Sequence, residues 1–145
     1  MENTCGIRVG RLLEVRVVRA YRTPAEVDAM FTEIGAEARK LPAETRIVTV
    51  ADWRHCPLMS AEASEQARLR MTGNNARTER SAVLAQRDAG VATLQFLRII
   101  RETNYPNRKL FFELDELVEW LTEVLTAPEV ARLREFLAEV PLAKP

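Results

Sequence analysis

Arg46-Ile47-Val48-Thr49-Val50-Ala51-Asp52-Trp53 is the stretch that decides how this chain folds. Ile47, Val48 and Val50 form a β-branched apolar run broken only by Thr49, which suits a strand covered on both faces of a parallel sheet. Ligands and partners of open parallel sheets gather at the carboxyl ends of the strands. Here that end reads Asp52-Trp53-Arg54-His55-Cys56-Pro57, the densest polar and aromatic cluster in the chain.

Upstream, residues 6–10 and a run from residue 12 to about 21 make an opening hairpin. In the second run Leu13, Val15 and Val17 alternate with Glu14, Arg16 and Val18, the pattern of a strand near the sheet edge with one wetter face. Thr23-Pro24-Ala25-Glu26 is a capping box with proline at the first helical position. The helix it opens carries Val27, Met30, Phe31, Ile34, Ala38 and Leu41 on one side, and Pro42 ends it.

Downstream, Ser60 caps a helix to about residue 71 whose apolar face, Ala61, Ala63, Ala67, Leu69 and Met71, is thin. Gly73-Asn74-Asn75 ends it, by the preference of glycine and asparagine for left-handed backbone. Residues 81–86 supply a strand. Residues 89–103 supply a helix in which Val91, Leu94, Leu97 and Ile100, with Phe96 and Ile99 beside them, form a stripe that sits on the sheet. A turn at residues 104–107 leads to a last strand at 109–113. A helix over residues 115–125 holds Trp120 in its core stripe. A second capping box, Thr126-Ala127-Pro128-Glu129, opens a final helix to about Val140, and Pro141 stops it.

This order predicts an α/β fold: a mainly parallel, mixed sheet of about five strands with an opening hairpin, flanked by about five helices. The 145 residues suit one domain, 1–145, which buries roughly 68–70% of the surface its unfolded chain exposes. Apolar residues at 47% and charged residues at 29% are ordinary for a globular chain, which argues against disorder. Twenty-one basic residues balance 21 acidic ones, so nothing supports a nucleic-acid partner. Cys5 and Cys56 match no disulfide framework or zinc spacing and read as free thiols, and no metal or cofactor is expected. Without a signal-peptide pattern or a membrane-length apolar run, the expected location is cytoplasmic with no membrane insertion.

Ile47-Val48-Thr49-Val50-Ala51-Asp52, Arg80-Ser81-Ala82-Val83-Leu84 and Asn107-Arg108-Lys109-Leu110-Phe111-Phe112, followed by Glu116 and Trp120-Leu121, together with the element order, carry a resemblance. The chain resembles the STAS domain, named for sulfate transporters and anti-sigma-factor antagonists, and in particular small STAS-like proteins. That resemblance implies a non-enzymatic regulatory module that binds another protein, with a serine after the central strand phosphorylated by a partner kinase. Ser60 stands at that position, preceded by Met59 where the family has aspartate, and a plain helix cap is the competing reading.

The candidate surface for a partner or ligand is Asp52, Trp53, Arg54, His55 and Arg68. His55 is the sole histidine, and its neighbour Cys56 would have to face it across the fold to act as a nucleophile, so no catalytic residue is assigned. Arg68, Arg70, Arg77 and Arg80, interleaved with Glu62, Glu65 and Glu79, read as a solvated face or, alternatively, an anion site. The main expectation is therefore a protein-interaction module, with a homo-oligomer left open, and the alternative is a carrier of a lipid or nucleotide.

Overall fold

Local signals place most elements where the sequence predicts them. The computed structural model describes residues 2–139, so the predicted end of the last helix at Val140 and its stop at Pro141 lie outside the described residues. The elements are β1 (Thr4–Ile7), β2 (Leu12–Arg16), α1 (Pro24–Ala38), β3 (Ile47–Asp52), α2 (Ala61–Gly73), β4 (Thr78–Leu84), α3 (Val91–Glu102), β5 (Arg108–Phe111), α4 (Leu114–Thr122) and α5 (Ala127–Ala138). A 3₁₀ turn, Asn75–Arg77, joins α2 to β4. The sheet order is the chain order, with β1 antiparallel to β2 and the remaining neighbours parallel.

Crossovers between neighbouring parallel strands share one hand. Hence α1, α2 and α3 pack in series on one face, and α4 and α5, which follow the last strand, cover the other. The period of two then divides the strand residues between two cores. Leu13, Val15, Ile47, Ala51 and Val83 face α1 to α3, whereas Leu12, Val48, Val50, Ala82 and Leu84 face α4 and α5. The central strand is thus covered on both sides.

Three expectations need correction. β2 stands next to the edge strand β1, as expected, but its polar face is dry: Glu14 is only 4% exposed. That face tolerates charge because α5 brings Arg132 to Glu14, at 2.7 and 2.8 Å. The α3 stripe is also rotated. Ala92, Phe96, Ile99 and Ile100 are buried, whereas Val91, Leu94 and Leu97 are exposed. Finally, α2 does not end in left-handed backbone; Asn74 has φ −93° and the chain tightens directly into the 3₁₀ turn.

All three helix starts are capped as read, but the box at Thr23 is not reciprocal, since the Glu26 carboxylate accepts from the Arg22 N–H at 2.6 Å instead of from Thr23. Thr23 accepts from the Glu26 N–H, Ser60 from the Ala63 N–H, and Thr126 and Glu129 complete a reciprocal capping box. Glu129 also accepts from the Arg11 N–H at 2.8 Å, tying the start of α5 to the hairpin turn. Gly10 in that turn has φ +57°, and a Cβ there would collide with the Glu129 carboxylate, so glycine is required on both counts.

Candidate functional site

The residues singled out after the central strand do not form one surface. Asp52 and Trp53 point to opposite sides of the sheet, and both are buried. Asp52 accepts from Arg54 Nε (2.9 Å), Arg54 Nη2 (3.0 Å), the Arg54 N–H (3.1 Å) and Arg16 Nε (3.2 Å). The two arginines in turn donate to the Phe136 and Leu137 carbonyls at the end of α5, with the Arg16 guanidinium 4.1 Å over the Phe136 ring. This cluster fastens the end of α5, where the Phe136 carbonyl also accepts from the Glu139 N–H at 3.2 Å. His55 is exposed, whereas Cys56 is buried, its thiol donating to Pro57 O and pushed up to about 12 by burial, which keeps it protonated. Arg68 pairs with Glu65 at 2.6 Å on the outside of α2.

Burial acts to raise the Asp52 pKa, but the hydrogen bonds and charge of Arg54, aided by Arg16, hold it below the usual carboxylate range. A carboxylate depressed in the folded state contributes stability above its unfolded pKa of about 4 and loses it as the pH falls through the folded value. Thermal melts of wild type are therefore expected to weaken steeply below about pH 4. Asp52→Asn should melt lower at neutral pH and show a shallower acid slope; an unchanged slope would remove Asp52 from the account.

Ser60 is committed locally. Its Oγ accepts from the Ala63 N–H at 3.1 Å and donates to Arg22 O at 2.8 Å. Of the four arginines read as a patch, Arg68 pairs with Glu65, Arg70 with Asp28, and Arg80 turns to the α4 side, donating to Trp120 O and Glu123. Arg77 donates to the Thr45, Pro42 and Ala38 carbonyls and has no carboxylate partner among the described residues.

What the sequence did not reveal lies beneath α1 and α2. The strand register aligns Leu13, Thr49, Ser81 and Arg108 in one row, placing two hydroxyls and a guanidinium on an otherwise apolar sheet face. The next row, Val15, Ala51, Val83 and Leu110, is wholly apolar. A cavity of about 70 Å³ runs over these rows and reaches Trp53. It shares Leu13, Phe31, Ile34, Thr49, Asn74 and Thr78 with a groove of about 500 Å³ that opens between α1 and α2. The only sequence signal was Thr49 interrupting its apolar run; the groove leaves it half-buried on a central strand.

Two of the residues lining this cavity each carry a buried donor with no partner among the described residues: Trp53 Nε1 and Arg108 Nε. Trp53 is 5% exposed, its ring edge-on to Phe96 at 5.0 Å, and Arg108 is 6% exposed. Buried polar groups in folded proteins are overwhelmingly hydrogen-bonded, so two orphans on residues that line one cavity are informative.

Fold and site together define an α/β protein with a five-stranded mixed sheet and an internal cavity under two crossover helices. No family model, curated protein or solved structure matches the chain. Among the described residues no helix is long and apolar enough to cross a membrane, and no three metal-binding side chains cluster.

Proposed function

We propose that this chain is a small-molecule-binding protein that holds an apolar-bodied ligand between α1, α2 and the sheet. The observation that carries the reading is a pair of unmet, deeply buried donors on two residues that line a single cavity. A buried donor without an acceptor costs free energy, and an acceptor on a ligand offsets that cost. Access is inexpensive. The buried face of α2 consists of Ala63, Ala67 and Met71, so shifting the helix uncovers little apolar area. The neutral dye phenylnaphthylamine tests this directly. Saturable binding of one dye per chain, lost in Thr49→Phe, which fills the groove floor, is expected; dye binding unchanged by that substitution would sink the reading.

A second reading keeps the STAS-like interaction module, because one surface feature favours it. Leu58, Val91 and Leu94 are exposed around a groove of about 490 Å³ between α2 and α3. Its rim carries the ion pairs Glu65–Arg68 and Arg98–Glu102, so both signs are present and the face is complementary to itself under two-fold symmetry. The occupant of this reading is a second copy of the chain, with Ser60 phosphorylation adding negative charge beside Leu58. Sedimentation equilibrium should give a dimer that Leu94→Glu and Ser60→Asp weaken; a wild-type monomer at high concentration rejects it.

A further inference from the structure

We infer that the ligand is an elongated apolar molecule with a carboxylate at one end, held by Arg108, and a neutral oxygen acceptor at the other, held by Trp53. This rests on the ligand-binding reading above and names its substrate class.

Charge is the first reason. The chain as a whole balances 21 basic against 21 acidic residues. Groove and cavity together are nevertheless lined by Arg39, Arg70, Arg77 and Arg108, and by no aspartate or glutamate among the described residues. Of the four, only Arg70 has a carboxylate partner there. A concave site of one sign with apolar walls concentrates the opposite charge.

Arg108 is the second reason. Its guanidinium donates to Asn75 Oδ1 and to Met71 O and lies 5.5 Å from the Tyr105 ring centre, yet among the described residues no carboxylate reaches it and its Nε–H is unmet. Burial lowers its pKa to about 10, so it stays cationic at neutral pH. A buried cation with neutral partners only is unfavourable unless an anion joins it. A guanidinium fork with a free donor suits a carboxylate, which charge-assisted hydrogen bonds hold well.

The third reason is the order of rows. Thr49, Ser81 and Arg108 form the polar row, the row above is apolar, and Trp53 lies beyond it. Trp53 stands four positions beyond Thr49, one past the end of β3, or about 13 Å along the strand direction; a chain of that length exceeds the cavity of about 70 Å³ and needs the shift of α2 described above. An indole N–H donates only, so the far end of the ligand must accept.

Isothermal titration calorimetry with decanoate, ω-hydroxydecanoate and decanol on the whole chain tests this. The expected ranking is ω-hydroxydecanoate tightest, then decanoate, with decanol at least about tenfold weaker than decanoate. Arg108→Met should erase the preference for decanoate over decanol, and Trp53→Phe should erase the advantage of the hydroxylated acid. Should Arg108→Met not fold, the wild-type ranking alone decides. Decanol binding as tightly as decanoate overturns the inference while leaving a ligand cavity in place. Binding of phenylnaphthylamine but of none of the three chains overturns the class alone. Failure of the dye as well removes the reading on which the inference rests.

Discussion

Arg132→Leu is expected to lower stability by about 3–5 kcal/mol, the cost of leaving one member of a buried ion pair without its partner. Both Glu14 carboxylate oxygens accept from Arg132, and Glu14 lies in the sheet face that α5 covers. Once the guanidinium is gone, that carboxylate must be dehydrated beneath the helix or the helix must lift. Glu14→Leu should cost less, because Arg132 retains Glu139 at 3.1 Å and Glu135 at 3.5 Å at the protein surface. The double variant Glu14→Leu/Arg132→Leu should fall well short of the sum of the two single costs, since an apolar pair of similar volume often replaces a buried ion pair without loss. Equilibrium urea unfolding of the four proteins closes the cycle. Additive costs would mean that the two side chains stabilise α5 independently.

The same logic explains why arginine outnumbers lysine by 18 to three. Arg16 and Arg54 hold the last carbonyls of α5, Arg77 those at and beyond the end of α1, Arg80 a carbonyl of α4 and Arg108 one of α2. Arg11 reaches Val124 O in the turn between α4 and α5. Helix ends leave carbonyls without intrahelical donors, and a planar fork with several N–H groups can meet a carbonyl and a carboxylate at once, as Arg54 does. Arg108 belongs to this set through Met71 O and, like Arg77, has no carboxylate partner among the described residues; what sets it apart is the buried Nε–H left without an acceptor.

The distinction could not be read in the sequence. Caps and turns were legible because their signals are local: Thr23 with Glu26, Ser60, and Thr126 with Glu129 act within three residues. The alternation of elements followed, and with it the sheet. What pairs with what was not legible, because Glu14 and Arg132 are 118 positions apart and the row Thr49, Ser81, Arg108 exists only once three strands are in register. Asp52 and Trp53 looked like a surface because charge and aromatic character at a strand end suggest exposure. Arg16, Arg54 and the end of α5 instead enclose Asp52, while Trp53 packs on Phe96.

On α3 the consequence is measurable. Apolar residues occupy so much of this helix that Val91, Leu94 and Leu97 read as part of the core stripe, yet only the side bearing Phe96 faces the sheet. Phe96→Ala is expected to cost about 3–5 kcal/mol, through lost burial and the cavity it leaves against Trp53. Leu94 is 67% exposed, so Leu94→Ala should change the stability of the monomer by less than about 0.5 kcal/mol. Two large apolar side chains, two positions apart on one helix, should thus differ several-fold in their contribution, and urea unfolding at low protein concentration measures both. If Leu94→Ala proves as costly as Phe96→Ala even there, α3 is turned from the orientation described and the floor of the α2–α3 groove is core. If its cost appears only as concentration rises, Leu94 is buried by a second copy of the chain, and the exposed face of α3 is an interface.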